Sequence, residues 1–264
     1  MINSMQMALI KKDVRNVTAN KNLFMALLIV PLVMTVVLPT IFMLTIAFTP
    51  VESADMQDLL VLLPEGMMGS DLRESLIKLI LNNVVPMFFL MIPIMAASVM
   101  AASSFVGEKE KRTLETLLYC PLSLRQIFGA KIIASFVLSQ FVSLASFIAM
   151  TVVVQTEIWL ITGSLILPGL NWLVLLILVS PAVSLVAITL IVRGSAKAKS
   201  MEESQQRSVF LILPVILLAA GQFTGLIFVS VWLLLGVGVL CAVIGLILLR
   251  RSSASFNYES LLQS

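Results

Sequence analysis

From residue 23 to residue 249 the chain sets out one long apolar run after another, more apolar surface than a soluble domain of 264 residues could bury. The runs cover residues 23–48, 84–105, 132–154, 172–192, 209–221 with its continuation, and 228–249. A hydrocarbon layer about 30 Å thick takes roughly 20 apolar residues per helical crossing, so each run is a span. Hydrophobic residues make up 59% of the chain and charged ones 12%, with a mean hydropathy of +1.08. The expected fold is an all-α integral membrane protein with six transmembrane helices, residues 1–264 forming a single transmembrane domain. As drawn, no span contains a charged residue. The stretch 209–249 is too long for one crossing, and Gly221-Gln222-Phe223-Thr224-Gly225 is the place for it to fold back.

Charge then orients the spans. Lys11, Lys12, Arg15, Lys21, Lys109, Lys111, Arg112, Arg125, Lys131, Arg193, Lys197, Lys199, Arg207, Arg250 and Arg251 all fall on one side, and only Arg73 and Lys78 on the other. The positive-inside rule places both termini in the cytoplasm. Residues 49–83 become an acidic outer loop carrying Glu52, Asp55, Asp58, Glu65, Asp71 and Glu74, and Trp159, Trp172 and Trp232 fall near outer span ends, where indole rings favour the headgroup region. The first span is too long for a secretion signal and is read as permanent.

Ahead of it, in residues 1–22, Met7, Ile10, Val14 and Val17 recur at helical spacing while Lys11, Lys12, Asp13, Arg15 and Asn16 occupy the other faces. That pattern suits an amphipathic helix lying in the inner membrane interface, and it is also compatible with a solvated basic leader.

The chemistry open to the chain is narrow. It has no histidine and two cysteines, Cys120 and Cys241, which removes histidine metal sites, histidine-based triads and a disulfide framework. Spans without charge lack the ionisable groups that ion-coupled carriers place inside the membrane. Ser103, Ser104, Ser135, Gln140, Ser143, Ser146, Ser180, Ser184 and Thr189 read as interhelical packing and hydrogen-bonding groups. No G-x-x-x-x-G-K-[ST] loop occurs, so an energy source in nucleotide would sit on another polypeptide. No catalytic, metal or cofactor-binding residue is expected, and no nucleic-acid partner.

One charged island interrupts the apolar runs, Gly107-Glu108-Lys109-Glu110-Lys111-Arg112-Thr113-Leu114-Glu115-Thr116-Leu117-Leu118. Leu114, Leu117 and Leu118 fall at i, i+3 and i+4 and give a short helix an apolar stripe. Glu108 with Arg112, and Lys111 with Glu115, are spaced to support it at about 0.3–0.5 kcal/mol a pair. Pro121 ends that helix. Ser123 and Gln126 then form a capping-box pattern for the next one, with Leu122 and Ile127 placed as its hydrophobic staple. A leucine-faced, charge-rimmed helix of this kind can lie on the bilayer or seat in a partner protein.

The same residues, with Pro121-Leu122-Ser123, Ile127 and Gly129-Ala130-Lys131, resemble the intracellular loop of ABC type-2 exporter permeases, whose pattern is approximately G-E-K-E-x-x-T-L-E-x-L-L, then P-x-S and a later G-K. The chain departs from it at Arg112, where the family often has a small residue, and at Leu124, where it often has a basic one. The resemblance implies a dimeric transmembrane subunit in the cell membrane, a homodimer or heterodimer, docked on separate cytoplasmic P-loop ATPase subunits that bind the ATP and Mg. It implies that residues 107–131 are the coupling loop, with Glu108, Glu110, Arg112, Thr113, Leu114, Glu115, Leu117 and Leu118 as the ATPase-coupling residues and the N-terminal helix beside them. Transport would then run by alternating access. Sparse aromatic residues in the spans disfavour sugar polymers, and an amphipathic peptide, drug or lipid is the expected cargo. A sodium-extruding permease of the same family, or a membrane sensor, immunity or assembly factor without transport, are the alternatives.

Overall fold

A computed structural model describes residues 4–50, 72–110, 113, 120–195, 198, 200–223 and 230–254. Among these the chain is all-helical. Helix α1 is Ser4–Ala19. Then come α2 Lys21–Phe48, α3 Leu72–Glu110, α4 Leu124–Thr162 and α5 Leu170–Gly194, α6 Met201–Phe223 and α7 Val231–Ala254. Five of them, α2, α3, α4, α5 and α7, are long and apolar enough to cross a membrane. α6 runs as one continuous helix through Phe223, so the first three residues of the reversal expected at 221–225 are helical, and Thr224 and Gly225 lie outside the described residues.

Several helices outrun the expected spans. α3 starts at Leu72 rather than at residue 84, so part of the segment read as outer loop is helical, with Leu76, Ile77 and Leu81 buried. α4 runs 39 residues, about 58 Å at about 1.5 Å per residue, so it projects well beyond a hydrocarbon layer. Its extension takes in Glu157, which the shorter span left out; there Thr40 Oγ1 donates to Glu157 Oε1 at 2.6 Å and ties α2 to α4.

The helices are not uniform. Five-residue π-helical turns occupy Val33–Val37, Ile80–Val84 and Leu175–Val179. Each ends two residues before a proline, Pro39, Pro86 or Pro181. Proline has no N–H to donate and its ring crowds the preceding turn, so the backbone widens just ahead of it. Pro31 and Pro214 lie inside helices.

α3 is the centre of the bundle and is buried almost without interruption from Ile92 to Glu108. α4 presents Leu138, Val142, Ser146, Met150, Val154 and Ile158 inward, one every four residues, while Phe141, Leu144, Ile148 and Val152 face out. α7 lies at the edge and packs on α5 through two glycines seven apart. A Cβ on Gly238 would stand 2.8 Å from Leu178, and one on Gly245 3.3 Å from Leu185, so side-chain-free positions let these helices close up. Trp172 is a correction to the interfacial expectation. Its ring is 1% exposed, lies 5.3 Å from Phe89 and 5.2 Å from Phe147, and donates from Nε1 to the Leu81 carbonyl at 2.9 Å. An indole whose N–H is satisfied inside the bundle no longer needs the headgroup layer. Trp159 and Trp232 remain exposed.

Candidate functional site at the root of the charged loop

The charged loop leaves α3 at Glu110 and rejoins the fold at Leu124. Of its expected coupling residues, Glu108, Glu110 and Thr113 are described, whereas Arg112, Leu114, Glu115, Leu117 and Leu118 lie outside the described residues, as do both expected i, i+4 pairs. The rejoining end follows the sequence expectation. Ser123 has extended backbone, its hydroxyl accepts from the Gln126 N–H at 3.4 Å, and Gln126 Oε1 accepts from the Ser123 N–H at 2.9 Å. Leu122 and Ile127 share a small apolar cluster with Leu9 and Ile10 of α1, so the staple that fixes α4 also holds the N-terminal helix.

α1 divides into three sectors at about 100° per residue. Leu9, Asp13 and Val17 are buried. Ile10 and Val14 are half-buried and Met7 is exposed. Lys11, Lys12 and Arg15 face outward. The expected stripe of Met7, Ile10, Val14 and Val17 is therefore only the flank of the packed face, and Asp13, expected on the polar side, sits within that face at 4% exposure.

The physical reason lies across the interface. Lys131, in the third turn of α4, is 2% exposed. Its Nζ donates to the Ser104 carbonyl at 2.6 Å, to Ser104 Oγ at 3.3 Å and to Asp13 Oδ2 at 3.4 Å. Ser104 Oγ in turn donates to Asp13 Oδ2 at 2.6 Å. Lys131 Nζ also lies 3.0 Å from Glu108 Oε2, outside hydrogen-bond geometry for that oxygen, so this contact is ionic without a directed bond. Lys12 Nζ closes the circuit at 2.8 Å from Glu108 Oε1, and the ammonium of Lys131 stands 5.6 Å from the centre of the Phe105 ring. Two carboxylates and two ammoniums thus balance, which is what lets three of the four charges stay buried.

Glu108 is consequently directed inward. Expected as an ATPase-coupling residue, it is 6% exposed and held by two lysines. Lys12 keeps a raised pKa: burial pushes its ammonium down, but the bond to Glu108 and its charge, with Asp13 and Cys120 behind them, carry it above the ordinary 10.5.

The other face of the last α3 turns holds α6. Gly107 packs on Met201, where a Cβ would meet Sδ at 3.0 Å, and Glu110 Oε2 accepts from the Met201 N–H at 3.3 Å. A carboxylate at a helix N-terminus satisfies an otherwise unpaired donor and opposes the helix dipole. Thr113 leaves this turn with its N–H bonded to the Glu108 carbonyl at 2.9 Å and its side chain exposed. Below, α1 and the rejoining end of the loop border an open apolar hollow of about 490 Å³ lined by Met5, Ala8, Leu9, Lys12, Pro121 and Leu122.

A family model described as ABC-2 type transporter matches residues 6–232. The chain belongs to the ABC-2 type transporter family. The match takes in α1, the charged loop and most of the bundle, and with five apolar helices it makes this ABC-2 chain a multi-pass membrane permease. No curated protein and no solved structure matches it. Sequence reasoning placed Lys131 in the Gly129-Ala130-Lys131 pattern of this ABC-2 permease and Asp13 on the polar side of the N-terminal helix, but missed their pairing because each reads as solvated charge within its own segment.

Proposed function

We propose that the protein is the transmembrane subunit of an ATP-driven exporter in the cell membrane, working as a dimer with separate P-loop ATPase subunits that bind ATP and Mg. α6 is the further span, giving six crossings and cytoplasmic termini, in agreement with the charge asymmetry of the sequence. The observation that carries the reading is the root of the charged loop. Glu108, Gly107 and Glu110 connect it to α1, α4 and α6 at once, so a push on the loop reaches several helices. Arg112, Thr113, Leu114, Glu115, Leu117 and Leu118 supply the docking contacts. Glu108 and Glu110 hold the base from which those contacts project. Closure of the ATPase pair displaces the loops and drives alternating access, and the cargo is an amphipathic peptide, drug or lipid.

The test is gentle extraction and co-purification with candidate ATPases, followed by ATP hydrolysis in lipid. Glu115→Lys is expected to reduce partner binding while the permease remains folded. Absence of any ATPase partner, or full partner stimulation by that variant, defeats the reading.

A further inference from the structure

The charge circuit at the loop root joins three separate stretches of chain, and every link passes through or beside Lys131. α1 supplies Asp13 and Lys12, α3 supplies Ser104 and Glu108, and α4 supplies Lys131. Asp13 and Lys131 are 118 residues apart in sequence and meet with both side chains 3% exposed. A hydrophobic pair of the same size would fill this space without the constraint of charge. A buried lysine shared by two carboxylates admits few arrangements, because each displacement leaves a charge unpaired in a low-dielectric site. Packing alone is more forgiving, since apolar residues of similar volume replace one another at small cost.

We infer that Lys131 is a positioning residue that makes α1, the last turns of α3 and the first turns of α4 one rigid lever, so that the N-terminal helix travels with the coupling loop during the transport cycle. This rests on the ATPase-coupled reading above, and it adds a mechanical role for α1 that docking of the loop does not require. Ser104 sets the position of the clasp. Its carbonyl takes the shortest bond from Lys131, and its hydroxyl orients Asp13 toward the same ammonium. Lys12 balances the second carboxylate from the rim, with its side chain 47% exposed. Among the described residues the circuit takes no side chain from α6, which meets the lever through Gly107 and Glu110 on another face of α3.

The test compares the native protein with Lys131→Met and with the charge-balanced Asp13→Asn/Lys131→Met, which retains the Glu108 and Lys12 pair. Spin labels are placed at Lys11→Cys on α1 and Val137→Cys on the exposed side of α4, in a background carrying Cys120→Ser and Cys241→Ser. Distances are read in the assembled complex, without nucleotide and with ATP trapped by vanadate. The native lever gives one narrow distance in both states. The double variant, with partner binding and thermal stability close to native, is expected to show a broadened distribution that shifts by several ångströms on trapping, together with loss of ATP-dependent stimulation. A native distance that changes on trapping overturns the inference, and so does a stable double variant that keeps the narrow distance. Failure of the native chain to bind any ATPase would instead strike the functional reading, and is recorded before the labels are compared.

Discussion

Removing the ammonium of Lys131 should destabilise the fold, and removing its partner as well should restore most of the loss. Lys131 Nζ stands 3.4 Å from Asp13 and 3.0 Å from Glu108. Coulomb attraction over the longer of these distances is about 5 kcal/mol at an effective dielectric of about 20, a gross figure from which desolvation must be subtracted. Taking one member from a buried pair costs about 3–5 kcal/mol, because the remaining charge stays buried. In Lys131→Met, Glu108 still has Lys12 and Asp13 still has the Ser104 hydroxyl, so the loss belongs at the lower end, about 3 kcal/mol. Asp13→Asn leaves Lys131 with Glu108 and the Ser104 carbonyl and should cost about 1–3 kcal/mol. The double variant leaves no unbalanced charge, and its loss should be smaller than that of Lys131→Met alone. Reversible unfolding of the three variants in mixed detergent micelles yields the coupling energy of a double-mutant cycle. Losses that add to within about 0.5 kcal/mol would show that the two groups do not interact, and the account of the loop root would fail with them.

Three further outcomes follow from neighbouring geometry. Gly107→Ala should be nearly neutral, because the thioether of Met201 can swing aside from a Cβ at 3.0 Å, while Gly107→Val should cost about 1–3 kcal/mol by overpacking; thermal unfolding in detergent separates them. Ser123→Ala removes one half of the capping box, and since its bond from Gln126 N is long at 3.4 Å the loss should sit near about 0.5–1 kcal/mol, at the low end of cap deletions, measured in the same assay. The raised pKa of Lys12 fixes a sign. A group held above its unfolded value stabilises fully below that value and loses the effect as pH rises through the folded pKa, so with Glu108 ionised the Lys12 contribution should be constant from neutral pH to 10.5 and fall above it. Melting temperatures of native protein and Lys12→Met should therefore keep a constant difference at neutral pH and converge in strong alkali.

What the sequence disclosed was local. Ser123 and Gln126 lie three residues apart and cap one helix, so their roles could be read without knowing what surrounds them. Long apolar runs likewise announce helices, although the ends were misjudged where polar residues such as Asn82 and Glu157 continue a helix inside the bundle, bonded to Gly169 at 2.7 Å and to Thr40 at 2.6 Å. Burial of Trp172 depended on a carbonyl 91 residues away. The Asp13 and Lys131 contact was hidden for the same reason, since each is ordinary surface charge until the other helix is present. A signal did exist: Asp13 lies between Leu9 and Val17 on one helical face, and Lys131 lies between Ile127 and Ala134 on another. Opposite charges set singly into two apolar faces are a pairing that helical spacing alone can propose.

That geometry also accounts for the order of residues in the first part of the charged island. At about 100° per residue, Ser104 and Glu108 share one face of α3, whereas Gly107 and Glu110 turn to another. The first face needs an acid because two lysines meet there. The second takes a small residue where Met201 approaches, followed one turn later by an acceptor for the Met201 N–H at the start of α6. A small residue, Glu, any residue, Glu thus serves internal attachment, before any partner protein is considered. A substitution at Glu108 acts on the permease's own frame, and under the proposed coupling its effect on ATP hydrolysis would report on that frame rather than on docking. On the proposed reading, direct docking is therefore probed with Glu115→Lys rather than with changes at Glu108 or Glu110, whose side chains are held within the permease itself.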